Sequence, residues 1–432
     1  MADTDQTNRP EPPAETADAE APPLEATVRW RREHVIPLRR AEVIRLLAED
    51  PRSPPAERDQ FLRLCQMLSA TFHYEYHARL EALKEAYASF NPDACTSTLR
   101  ECTDAERERL VPEVFDRFVE LLQRANYEHL SRAEIEQAMG AASDWGLRLH
   151  VDFDVFRRLE VYARGDVLER RVRRSWKTRY REVEVVVPLY QRLVVIFQLR
   201  EHQHLKQAAD SRAVYIKLFK NIPKQDLEML LPGTRFHLTL LDRGKILLPT
   251  VSGLALAAFK IVRGALWVAF AGVYGGAIAV LGLVGGTVGY GVKSFLGYLR
   301  TKEKYQLNLT RSLYYQNLDN NEGVLYRLLD EAEEQDFIET ILAYALLRSD
   351  ADGEGWTQGR LDREAETCLS ELLGFAVDFE IRDALDKLAR LGFASQTPDG
   401  RWHAAPLAGV CARLDRVWDG YFLGFSDDQP SV

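Results

Sequence analysis

His73 and His77 stand four residues apart in FHYEYH (72–77), and Glu81 follows one turn later. On a helix that spacing places three potential ligands on one face, as a helical metal site requires. Glu75 lies between the histidines and points elsewhere. The segment is therefore not HExxH, in which the glutamate directly follows the first histidine and serves as base. No fourth ligand is apparent, and the aromatic-rich segment reads first as a packed helix face with hydrogen-bonded imidazoles. The residues assign no metal and no cofactor. His73, His77 and Glu81 are kept as the candidate set for one alternative, a metal-dependent membrane enzyme.

A second cluster is basic. Between Arg164 and Arg181 stand Arg164, Arg170, Arg171, Arg173, Arg174, Lys177, Arg179 and Arg181 against Asp166 and Glu169, a net charge of +6 in an otherwise acidic chain. Such a run suits anionic lipid headgroups, at about 1 kcal/mol per base near the surface. It also suits nucleic acid, or a solvated strand pair facing acidic helices. LDNNEG (318–323) lacks the alternate-residue ligand spacing of a calcium loop and reads as an Asn-rich turn between helices. There is no P-loop, no GxGxxG after a strand and no GxSxG elbow.

The elements that would position these groups change character along the chain. Residues 1–26 hold seven acids and one base, with many Ala and Pro, and read as a disordered tail rather than a targeting signal. From 27 to 148 the pattern is helical. It includes a helix at 38–50 ended by Pro51, Pro54 and Pro55, a long one over 56–88, and the capping box Ser131-x-x-Glu134. From 149 to 249 β-branched and aromatic residues alternate in LEVYARG (159–165), REVEVVVPLYQRLVVIFQLR (181–200) and AVYIKLFKN (213–221), with a hairpin expected at 234–249 around Asp242-Arg243-Gly244. Residues 300–334 read as a helical connector, 335–425 as a winged-helix-like domain and 426–432 as a tail. In the winged-helix-like part Ile381, Ala384, Leu385, Leu388 and Leu391 share one helix face before Gly392, and Pro398-Asp399-Gly400 turns a two-stranded wing. Sixteen acids against nine bases over 335–425 make a field that repels phosphate, so binding of nucleic acid is disfavoured.

The most apolar stretch is Gly264–Val292, 29 residues with no Asp, Glu, Lys or Arg. A soluble core helix seldom sustains more than about 18 such residues, so the run predicts a membrane region at 250–299. A hairpin of arms at about 253–274 and 277–298 fits the bilayer thickness and places the flanking bases on one side, as the positive-inside rule prefers. A single span is the other reading. Gly272/Gly276, Gly282/Gly286 and Gly285/Gly289 have GxxxG spacing for close helix packing. Lys260 and Arg263 sit within the first arm, at a cost of about 2.5–3.5 kcal/mol each near mid-bilayer.

The chain has 432 residues, a formal net charge of −9 and five scattered cysteines without a CxxC pair. These exclude a disulfide framework and wholesale wrapping of nucleic acid. REHVIPLRR (32–40), FHYEYH (72–77), RANYEHLS (124–131), VDFDVF (151–156), VYARG (161–165), KLFKNIPKQDLEMLLPG (217–233), LYYQNLDNNEGVLYRLLDEAEEQ (313–335) and VDFEIRDALDKLARLG (377–392) resemble the membrane-protein family that includes animal transmembrane protein 143. The resemblance covers nearly all of the chain after residue 26. It implies a membrane protein without a defined activity, mitochondrial in animals. The Arg- and Ala-rich composition resembles that of a bacterial protein, which would put the chain in the inner membrane with its soluble parts cytoplasmic.

Together these readings predict an α+β fold with a membrane region: a helical amino-terminal part, a β-rich middle unit, a transmembrane helical hairpin and a winged-helix-like carboxy-terminal domain. The predicted function is a non-enzymatic scaffold or interaction protein whose partners are the lipid bilayer, anionic headgroups and an unidentified protein. A membrane-tethered nucleic-acid binder is a further alternative.

Overall fold

The computed structural model describes residues 27–29, 33–50, 55–94, 102–140, 148–174, 182–201, 210–232, 234–237, 314–349 and 353–423. The helical amino-terminal part comprises α1 (Arg40–Ala48), α2 (Arg58–Ala88), α3 (Asp104–Arg124) and α4 (Arg132–Gly140). Thr103 and Glu106 close a reciprocal capping box at the start of α3, and Ser131 and Glu134 do the same for α4.

The sheet is antiparallel, in the order β1 (Thr27–Arg29), β4 (Phe156–Arg174), β5 (Glu182–Leu199), β6 (Val214–Pro223), β8 (Asn317–Asn320), with β2 (Glu128–His129) also pairing with β4. Separately, β3 (Arg148–Val151) pairs with β7 (Thr234–His237). The run LVVIF in β5 is continuously apolar because the sheet is covered on both faces. Val194 and Ile196 join Tyr162, Ile216 and Leu218 against the helices. Leu193, Val195 and Phe197 join Ile135, Val155 and Leu227 beneath α4 and the 3-10 turn Lys224–Leu230. Each such fully buried side chain stabilises the fold by about 1.5–3 kcal/mol.

At the centre lies α5 (Glu322–Arg348), packed against α1, α2, α3, α6 (Gln358–Leu373), α7 (Ile381–Leu391) and the sheet. The Asn-rich stretch expected as a turn between helices instead supplies edge strand β8 and leads straight into α5. Asn321, at φ 48°, exchanges bonds with the Ile216 backbone at 2.7 and 3.0 Å and locks that edge to β6. After α7, Gly392 in the left-handed region turns the chain into β9 (Ala394–Gln396), which pairs with β10 (Trp402–Ala404) ahead of α8 (Leu407–Leu423).

The expected fold with a transmembrane hairpin is corrected. The described chain is mixed helix and sheet, and among the described residues no helix is long and apolar enough to cross a membrane. Helices α2 and α5, at 31 and 27 residues, have the length, but both carry charged residues along it. The run 253–298, with Gly272, Gly276, Gly282, Gly285, Gly286, Gly289, Lys260 and Arg263, lies outside the described residues. So does the turn of the hairpin expected at 234–249, of which 234–237 form β7 with β3 as partner.

Candidate functional site

The middle of α5, from Gln335 to Tyr344, is buried on all sides, and ionised acids there need counter-charges nearby. Asp336 and Glu339, three apart on α5, are both buried, and α7 lays Lys387 and Asp383 against them. The Lys387 Nζ donates to Asp336 Oδ1 at 2.6 Å and to Glu339 Oε2 at 3.0 Å, and lies 2.6 Å from Asp383 Oδ2. The Tyr76 hydroxyl, from α2, donates to Asp336 Oδ2 at 2.5 Å, and Arg124 at the end of α3 lies 3.5 Å from the same oxygen. Burial opposes the Lys387 charge, but Glu339, Asp336 and Asp383 outweigh it and raise its pKa. Burial raises the Glu339 pKa, with Lys387 pulling the other way. The three carboxylates have the spacing of a cation site, and the chain's own ammonium serves as the cation.

The network continues toward the surface. The Asn126 amide donates to Glu339 Oε1 at 2.9 Å and to the His34 carbonyl at 2.8 Å. Both residues line a cleft of about 380 Å³ between β2, α4, the middle of β4 and β5, and the start of the 3-10 turn. It is shaped at Gly165, at a φ of 74°, where an added Cβ would lie 2.6 Å from Gln191 Oε1 and 2.7 Å from Gln191 Cβ. Glu33, Glu128, Glu134 and Asp166 line the cleft, against the permanent cations Arg164 and Lys224. Lys224 Nζ lies 2.6 Å from Asp166 Oδ2 and over the Tyr190 ring. Arg164 lies 2.9 Å from Glu331, donates to the Ala125 carbonyl and covers the Tyr127 ring. His34 Nε2 lies 3.1 Å from Glu128 Oε1, and Asp378 and Glu380 stand within 4 Å of its Nδ1. Chiefly through the Glu128 bond, the imidazole pKa is raised above 6.5. Among the described residues, no Ser, Thr or Cys lines the cleft, and Tyr190 supplies its hydroxyl.

The residues singled out by spacing lie elsewhere. His73 and His77 are on the exposed side of α2. His73, with a side chain 74% exposed, meets Glu333 at 3.1 Å, while Glu81 pairs with Lys84 at 3.0 Å. The structure does not join these three as ligands. The basic run is divided. Arg164 is an internal partner of Glu331, and Arg170 to Arg174 belong to the distal part of β4, which pairs with β5 there among the described residues. Lys177, Arg179 and Arg181 lie outside the described residues. The cleft pairs were not readable in advance, because Asp166 and Lys224 meet only through sheet register. Lys387 looks like one of several balancing charges on its helix. The available signal was on α5, where Asp336 and Glu339 are interleaved with Phe337, Ile338, Ile341 and Leu342.

Residues 190–323 match the family described as Protein of unknown function (DUF3754), a match that takes in β6, the 3-10 turn, β7, β8 and parts of β5 and α5. That description carries no activity. No solved structure matches the chain.

Proposed function

We propose that the protein is a non-enzymatic interaction protein whose cleft receives a Lys- or Arg-bearing segment of a partner protein. The observation that supports this reading is the charge balance of the walls: four carboxylates stand against Arg164 and Lys224, each already paired within the chain. A guanidinium or ammonium entering there meets an acidic surface, which attracts cations. The test is fluorescence anisotropy with a labelled Lys/Arg-rich peptide and an Asp/Glu-rich counterpart. The basic peptide should bind, weaken as salt rises, and lose about tenfold in affinity in Glu128→Gln or Asp166→Asn, equivalent to about 1.4 kcal/mol. Equal binding of both peptides, or indifference to both substitutions, would sink the proposal.

The β4–β5 arm supports a second reading, contact with anionic lipid headgroups. Arg170, Arg171, Arg173 and Arg174 lie on a stretch that, among the described residues, pairs with β5 alone. Vesicles with and without anionic lipid, and the fourfold change of these arginines to Ser, test it. Binding that ignores lipid charge, salt and the substitutions would remove this role.

A further inference from the structure

We infer that the trough between α1 and α6 is a docking groove for an amphipathic helix of a partner protein, with apolar anchors on one face and basic residues flanking them. Both helices pack on α5, and the space left between them measures about 340 Å³. Ile338 and Leu342 of α5 form the floor, and Leu46, Leu47, Leu369 and Leu372 form the walls. The walls are not fully covered. Leu46 is 39% and Leu372 47% exposed, on opposite sides of the same groove. Together they give the groove apolar surface that a docked side chain would remove from water.

The walls choose the shape of the occupant. They are two helices lying on a third, and they offer no strand edge to extend. The ridges and grooves they present are filled by another helix at an interaxial distance of about 8–10 Å, using side chains at i, i+3, i+4 and i+7. The rim chooses its charge. Among the described residues, Asp50 and Glu371 are the charged residues lining the groove, so a helix flanked by Lys or Arg is attracted and one flanked by Asp or Glu is repelled. This groove is separate from the cleft proposed above and shares no lining residue with it.

The experiment uses the full chain and a labelled synthetic helix of about four turns, with Leu at the four anchor positions and Lys at both ends. A scrambled peptide of the same composition, and a version with Glu in place of Lys, are run beside it. The patterned Lys peptide should bind, and the scrambled and Glu versions should bind at least about tenfold more weakly. Leu46→Glu and Leu372→Glu should each abolish binding with the thermal midpoint nearly unchanged, since both positions already face water. Should either variant be unstable, Glu371→Lys decides the matter, because it should weaken the Lys peptide and strengthen the Glu peptide. Equal binding of patterned and scrambled peptides, or no response to Glu371→Lys, overturns the proposal. So does sedimentation showing a dimer that Leu372→Glu dissociates, which would make a second copy of the chain the occupant.

Discussion

At the scale of single residues, Lys387 has the largest consequence. Its side chain is 6% exposed and stands among three carboxylates, two of them buried. Removing one partner of such a cluster leaves uncompensated buried charge, at about 3–5 kcal/mol. Lys387→Met is expected to lower stability to chemical denaturation by that amount. Asp383→Asn, at a side chain 54% exposed, is expected to cost less than about 1 kcal/mol. The sign of the pH effect follows from Glu339, whose pKa burial already raises. Loss of the ammonium raises it further, so the protonated form favours the fold, and that contribution fades as pH rises through the folded-state value. The Lys387→Met deficit should therefore be smaller near pH 5 than near pH 8. A deficit independent of pH would place the cost in packing alone. His34 obeys the same sign rule. Its raised pKa means that the charged imidazole stabilises the fold below 6.5 and that this stabilisation is lost as pH rises through the raised value. His34→Gln is expected to cost about 0.5–1 kcal/mol near pH 6 and almost nothing near pH 8.5, with an NMR titration of the imidazole locating the window.

At the scale of elements, β4 is the strand on which the cleft depends, and Gly165 is its special position. A side chain there must adopt a φ of 74° and meet Gln191 Cβ at 2.7 Å as well as its amide. Gly165→Ala should cost about 1–3 kcal/mol and weaken peptide binding in the cleft. An unchanged denaturation midpoint would show that the strand adjusts freely. Much of the element plan was legible in the sequence, because period and punctuation report local burial. The alternation in LEVYARG and VYIKLFK marks strands, Ser131 and Glu134 mark a helix start, and the face from Ile381 to Leu391 marks a packed helix. The limits of that reading are equally physical. Asn317–Asn320 has the composition of a turn, but hydrogen bonds to β6 from far away in the chain make it a strand. Histidine spacing on α2 suggested a site, yet one helix face cannot show whether a neighbour completes the ligand set. Here the neighbour is Glu333 on α5, which meets His73 with one oxygen and Arg40 with the other.

At the scale of the whole molecule, the segments that the sequence separates share one core. It runs from Ile36 and Val43 through α2, α3 and one sheet face to α5, α7 and Leu414. Position 335, where a change of domain was expected, falls within α5, and the Gln335 side chain both accepts from and donates to the Ile36 backbone at 2.9 and 3.0 Å. Further ties join distant parts: Arg390 with Glu75, Arg348 with Glu57, the Tyr344 hydroxyl with the Ala405 carbonyl, and the bridge between Glu33 and Val377. A core continuous across these elements cannot lose its carboxy-terminal helices without exposing the apolar surface of α5 to water. The described parts are therefore expected to unfold as one unit. Hydrogen exchange followed across increasing denaturant measures this directly, by comparing peptides from α2 with peptides from α7 and the β9–β10 wing. Both sets should open at one midpoint. Leu388→Ala, a truncation of a fully buried side chain that costs about 2–5 kcal/mol, should lower the midpoint of both sets together. Two midpoints in the parent chain, with only the carboxy-terminal one displaced by Leu388→Ala, would show instead that residues 335–425 fold independently and that the shared core adds little to either half.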